Sequence, residues 1–370
     1  MTRADTTPHT LPDSLGNGPR GSPGNSTLWV GSRRGTFRVG PAPSPEPGPG
    51  EIVVQTRAVA LNPVDAVPGV ARRFVYPWLR YPTVLGTDVA GDVVAVGADV
   101  TRFAVGDRVV GLATGQEKFR NDPAHGAFQR LVVLAADLTT PVPDRVTSTD
   151  AAVLPLAVTT AAAGLFEPDQ LGLALPGGPV VDRGATVLVW GGSTSVGNNA
   201  VQLAVQAGYR VVATASPRNF ALVRGLGAAE VFDYREGSVA ADVIGALRGH
   251  TLAGTLAIGQ GSLTQAIRIA RRTDGTRRVA SAYPSPVTAV RKRVARLAGV
   301  RVSAIWGGVP ARTPVGPAVF RDLLPDALAD GRFQPSPRAE VVGHDLDAIP
   351  AGLTRLRAGV SARKLVVSLD

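Results

Sequence analysis

Two textures of hydrophobic patterning divide the chain. Between residues 27 and 154, apolar positions come in short runs broken by Gly and Pro. Residues 51–61 (EIVVQTRAVAL) alternate as a strand does. Residues 89–96, with Gly91 and Gly97, predict a strand and turn, and residues 107–111 predict another. No long amphipathic helix is expected before Thr149. Residues 41–50 (PAPSPEPGPG) predict a surface loop within one domain, since strand-like runs flank them closely. From Ala185 onward, strand and helix patterns alternate. Residues 186–190 (TVLVW) form the short apolar run of a strand buried on both faces. A helix follows with Val196, Ala200, Leu203, Ala204 and Ala207 on one face, and Gly208 stops it. Residues 210–215 predict the next strand, and Pro217 opens a helix carrying Phe220, Leu222 and Val223. Further strands are expected at 231–233, 252–258, 277–282 and 300–305. This alternation predicts a doubly wound parallel α/β sheet. A helix after Pro317, a strand near Val341, a helix over 346–356 and a closing strand over 364–368 complete the pattern.

Composition changes this picture in three ways. A chain of 370 residues, 44% of them apolar, predicts two domains. Residues 1–26, rich in Pro, Gly, Ser and Thr, read as a disordered tail without the apolar stretch of a secretory signal. No run of 18 uncharged apolar residues occurs, so no membrane partner and a cytoplasmic location are expected. Cysteine is absent, which excludes disulfides, thiolate zinc sites and a cysteine nucleophile. The net charge of +10 raises nucleic acid as a partner. Lysine occurs only at Lys118, Lys292 and Lys364, and the arginines are scattered or in short clusters without interleaved aromatics. A solvated basic face is the expectation, with no nucleic acid.

The sharpest local chemistry is Gly191-Gly192-Ser193-Thr194-Ser195-Val196-Gly197, which leaves a predicted buried strand and enters a predicted helix. Backbone N–H groups at a helix start attract an anion, and small residues let a pyrophosphate come close. Gly192 and Gly197 match the ends of G-x-G-x-x-G, with Thr194 at the middle glycine. An unliganded glycine turn is the alternative; the placement after a strand favours a dinucleotide. NAD sites end the next strand with an Asp or Glu for the ribose 2′-hydroxyl. This chain reads Thr214-Ala215-Ser216-Pro217-Arg218, with no carboxylate. Ser216 and Arg218 can donate to a 2′-phosphate, so NADPH is the expected cofactor. Tyr234, after the following strand, either closes over the adenosine end of the cofactor or is a surface tyrosine.

Several further motifs stand in a telling order. They are Asn62-Pro63-Val64-Asp65, the run Pro82 through Gly86, Asp88 and Gly91, then Gly106-Asp107-Arg108-Val109, Gly126-Ala127-Phe128 and Thr160-Ala161. This series resembles the zinc-free quinone oxidoreductase branch of the medium-chain dehydrogenase/reductase superfamily. The Gly191–Gly197 loop with residues 215–220 (ASPRNF) is similar to the trans-acting enoyl reductases within it. That subgroup often carries Lys two residues after the N-P-x-D aspartate, where this chain has Val67. The resemblance implies a GroES-like, partly open β-barrel catalytic domain from residues 27–155, completed by 306–370. It implies a Rossmann NADPH-binding domain over 156–305, inserted in the other, with the active site in the cleft between them. A homodimer or a carrier-protein partner is also implied, beside a small-molecule conjugated substrate.

Zinc alcohol dehydrogenases of that superfamily use Cys and His as catalytic ligands. The matching positions here are Asn62 and Thr87, neutral groups that suit zinc poorly. His9, His125, His250 and His344 lie far apart in sequence, so no metal is expected. Without a Lewis acid, hydride addition to a quinone, enone or enoyl thioester is the easier reaction, because the resulting charge delocalises onto oxygen. Asn62 is expected in the cleft, donating to the nicotinamide ribose or substrate carbonyl, and Thr160 beside the cofactor. Asp65 and Asp88 are expected to pair with backbone or Arg. Tyr76, Trp78 and Tyr81 either line an apolar pocket or pack their loop. No general acid stands out, and water is the expected proton source. An NADPH-binding sensor or structural protein without turnover is the alternative to a reductase.

Overall fold

A computed structural model describes residues 24–282 and 286–370, without the side chains of 286–291. Most of the expected tail lies outside these residues. Its last three positions do not, and two of them are in a strand: the first strand is Asn25–Val30 and so begins before Thr27. Polar side chains hide that start in the sequence. Asn25 is buried and its Nδ2 donates to Gln129 Oε1 (2.9 Å) and to the Leu131 carbonyl (3.0 Å).

The alternating half forms a six-stranded sheet in the order Glu230–Asp233, Arg210–Ala215, Ala185–Trp190, Thr251–Ala257, Arg278–Ser281, Arg301–Ala304. Every neighbouring pair is parallel. Strand order reverses between Ala185–Trp190 and Thr251–Ala257, which opens a crevice at the carboxyl ends. Val187, Leu188 and Val189 are fully buried, as an apolar run in a sheet covered on both faces requires. The helix expected from Pro217 is a 3₁₀ turn, Pro217–Asn219, followed by Phe220–Gly225. Only Val223 of its expected apolar face is fully buried, so this short element leans on the core rather than entering it.

The strand-rich half forms a seven-stranded, mostly antiparallel sheet. Glu51–Ala60 runs through its middle, with Asp88–Val96, Arg108–Leu112 and Thr139–Pro141 in order on one side. On the other side it pairs with Leu131–Ala135 at one end and with the closing strand Lys364–Ser368 at the other. Ala339–His344 runs parallel outside the closing strand. A three-stranded sheet of Asn25–Val30, Phe37–Ala42 and Thr83–Val84 packs on this lobe through Leu28 and Val30. The molecule is thus the α/β architecture expected: a Rossmann doubly wound sheet joined to a second, β-rich lobe.

The helix Pro155–Phe166 joins the lobes. One buried apolar cluster runs from Ala60 and Ala90 of the first sheet through Val158, Ala161 and Ala162 to Val187 and Val189 of the parallel sheet. The stretch Ser148–Phe166 is long and apolar enough to cross a membrane, but it is 78% buried here, as a core helix is. In the closing strand, Val366 lies opposite Ala60 in antiparallel register. Two residues further, that register brings Lys364 beside Asn62.

Candidate active site

At the carboxyl edge of the parallel sheet, Gly191 turns out of Ala185–Trp190 with a φ of +91°, which favours glycine. The helix Ser195–Gln206 starts directly after Thr194. Thr194 is its N-cap, with Oγ1 accepting from Gly197 N (3.0 Å). This explains a threonine where the fingerprint has glycine: the hydroxyl takes up one orphan amide. The first amides of a helix have no partner within it, so those of Ser195 and Val196 stay free for a phosphate. A side chain on Gly197 would collide with the Gly191 carbonyl oxygen, so this glycine lets the helix start press against the turn.

Ser216 and Arg218 follow the second strand, and Tyr234 follows the third. All the predicted cofactor residues therefore share the carboxyl edge, and the donor set fits a dinucleotide. Ser216 is buried, with Oγ accepting from Asn219 Nδ2 (3.1 Å). The exposed Arg218 donates to Ser361 Oγ (3.0 Å), on the loop before the closing strand. Tyr234 is exposed.

Asn62 has different hydrogen-bond partners from those expected. It is 3% exposed, and its Nδ2 donates to Thr87 Oγ1 (3.1 Å) and to Asp88 Oδ2 (2.9 Å). Its Oδ1 accepts from Lys364 Nζ. With both amide hydrogens and the carbonyl used, it cannot donate to a ribose or substrate carbonyl; it holds Thr87, Asp88 and Lys364 together. Asp88 is fully buried and pairs with lysine rather than arginine, its Oδ2 lying 3.0 Å from Lys364 Nζ. Its Oδ1 accepts from the Leu156 amide (2.7 Å) at the start of the helix that carries Thr160. Lys364, 4% exposed, was not foreseen. Its signal was a lone lysine opening an apolar strand in a chain with only three.

Asp65 accepts from the Asn62 amide (2.9 Å), as expected, and from Gln116 Nε2 (3.4 Å). Burial, reinforced by the neighbouring Asp88 charge, pushes its carboxyl up to about 7. Gln116 leads to a cavity of about 480 Å³, whose walls include Trp78, Glu117, Phe119, Trp306 and Arg312. Tyr76, Trp78 and Trp306 form an edge-to-face trio with ring centroids 5.8–5.9 Å apart. Trp78 thus lines the cavity, and the buried Tyr76 supports it from behind. Tyr81 is not part of the cavity wall.

Trp306, Gly307 and Gly308 follow the last parallel strand, Arg301–Ala304, so the cavity opens at the same carboxyl edge as the glycine loop. Thr160 backs onto this segment: a side chain on Gly307 would press on its Oγ1.

With this geometry in hand, comparisons with known proteins are informative. Residues 48–144 match the alcohol dehydrogenase GroES-like domain. The chain is 45% identical to the dehydrogenase pigH of Monascus ruber, covering 94% of this chain and 100% of that protein. It is 35% identical to the trans-enoyl reductase himH of Aspergillus japonicus, covering 94% and 98%. A mycobacterial protein solved in complex with NADPH matches at a TM-score of 0.65 with 27% identity, covering 93% and 100%.

Proposed function

Since the chain belongs to the medium-chain dehydrogenase/reductase superfamily and is an oxidoreductase of that type, we propose that it is a zinc-independent, NADPH-dependent reductase of conjugated acceptors. The observation that carries this reading is the end of the strand Arg210–Ala215. No carboxylate stands there, and Ser216 and Arg218 present hydroxyl and guanidinium donors instead. A 2′-phosphate would be held by them, and the pyrophosphate by the amides of Ser195 and Val196. Bound there, NADPH would supply a hydride at the crevice.

The residues around Asn62 favour chemistry without a metal. An amide and a hydroxyl occupy the positions that match zinc ligands, and the Lys364 ammonium beside them repels a cation. The Thr160 hydroxyl and the aromatic walls of the adjoining cavity suit a flat, electron-poor acceptor that needs positioning more than polarisation. The trans-enoyl reductase among the relatives supports an enone or enoyl thioester.

The test follows NADPH absorbance with quinones, enones and enoyl thioesters, together with equilibrium binding of both nicotinamide cofactors. Turnover with at least one acceptor is expected. Arg218→Ala is expected to weaken NADPH about tenfold to a hundredfold and NADH far less, since only NADPH loses a charge-assisted contact. Equal weakening of both cofactors would remove the assigned role of Arg218. Tight NADPH binding with no turnover would point instead to a sensor.

A further inference from the structure

One wall of the cavity is a carboxyl group that the resemblance does not assign. Glu117 lies in the segment between the strands Arg108–Leu112 and Leu131–Ala135. Its Oε2 accepts from Trp306 Nε1 (2.9 Å). Oε1 has no hydrogen-bond partner among the described residues and lies against Gly308, with Glu117 on the cavity wall. Gly308 makes the position possible, because any side chain there would collide with the Glu117 carboxyl. The consecutive glycines 307 and 308 therefore seat Thr160 against one and Glu117 against the other. Burial raises the Glu117 carboxyl above the usual range, and the Trp306 hydrogen bond opposes this more weakly. A carboxyl held above its ordinary range keeps its proton to higher pH, which suits a general acid.

We infer that Glu117 is the general acid that protonates the α-carbon of a planar conjugated carbonyl acceptor seated against Trp78 and Trp306. The inference rests on the reductase reading above. Flat, apolar conjugated molecules pack well on indole rings, and two indoles line this cavity. In the step, the β-carbon of the acceptor takes a hydride with its electron pair from reduced nicotinamide, which is thereby oxidised by two electrons. The π pair of the C=C bond moves toward the carbonyl oxygen as an enolate. That pair then forms the α-carbon–hydrogen bond as the O–H bond of Glu117 breaks and its electrons remain on the carboxylate. Water returns a proton to Glu117 before the next turnover.

The experiment uses the full chain and Glu117→Gln, with an α,β-unsaturated ketone or thioester as acceptor in D₂O. The wild type is expected to place deuterium on a single face of the α-carbon. Glu117→Gln is expected to lower kcat by about 10²–10⁴-fold, the usual contribution of a general acid, and to label both faces. NADPH affinity should hold in the variant, which separates this loss from a cofactor defect. In the cofactor-free protein, protonated-carboxyl infrared bands should persist above the pH at which ordinary glutamates ionise, and the difference spectrum between the wild type and Glu117→Gln should lose one such band while that of Asp65 remains. Unchanged kcat with single-face labelling in Glu117→Gln would overturn the role of Glu117 while leaving the reductase reading intact. So would a wild-type spectrum in which Glu117 ionises with ordinary glutamates. Failure of the wild type to oxidise NADPH with any conjugated acceptor would overturn both.

Discussion

A buried lysine needs an anion within reach, and Lys364 has Asp88. Removing one partner of a buried ion pair strands the other charge and costs about 3–5 kcal/mol. Lys364→Met is therefore expected to destabilise the chain by about that amount in urea unfolding, and adding Asp88→Asn should recover part of the loss. Asp65 gives the same neighbourhood a pH dependence. Its carboxyl titrates near 7 in the folded chain against an ordinary value of 3.8. The folded state therefore holds an extra proton between those values, and stability from this group falls as pH rises through that window. The penalty is absent below about pH 4 and complete above about pH 7, on the order of 4 kcal/mol. Asp65→Asn should flatten this slope in unfolding free energies measured across the window; an unchanged slope would show that Asp65 ionises normally. At this scale the sequence marked Asn62 as a site residue and Asp65 and Asp88 as carboxylates paired within the structure. It could not show that Asn62 spends its amide on Lys364, because 302 residues separate the two.

At the scale of elements, the helix Ser195–Gln206 shows what a pattern can hide. Its apolar face was readable from Ala200, Leu203 and Ala204, all fully buried. On another face, Asn198, Gln202 and Gln206 recur every four residues, a spacing that on sequence alone reads as solvent-facing. They are buried instead and form a ladder to the segment around 332–336. Gln202 accepts from the Gln334 amide (2.7 Å) and donates to its carbonyl (3.1 Å), while Ser336 Oγ donates to Asn198 Oδ1 (2.6 Å). Gln202→Leu would strand both backbone groups of Gln334. A loss of about 2–3 kcal/mol is expected, read as a lowered Tm. NADPH affinity should fall with it, since the ladder fixes the helix whose first amides are proposed to hold the pyrophosphate. Unaltered affinity would uncouple that helix from the ladder.

At the scale of the molecule, the periodic strand and helix signals were strong enough to place the parallel sheet and the closing strand. Strand edges shifted by a residue or two where polar side chains such as Asn25 are buried. Trp78 was legible as a pocket residue, but Glu117 and Trp306 were not, because only the fold brings them to the same wall. The apolar cluster that crosses from one sheet to the other through Pro155–Phe166 predicts cooperative unfolding of the whole chain. Trp190 lies in the parallel sheet, and Trp29 in the β-rich lobe. Tryptophan fluorescence and far-ultraviolet circular dichroism should therefore report a single coincident transition, whereas two separated transitions would show lobes that melt independently.

The register that sets Lys364 against Asn62 also imposes a timetable on synthesis. Chains fold as they leave the ribosome, amino end first, yet Asp88 emerges hundreds of residues before the ammonium that neutralises it. Until the closing strand escapes the exit tunnel, Asp88 lacks its counter-charge and the edge at Ala58–Ala60 lacks its strand partner.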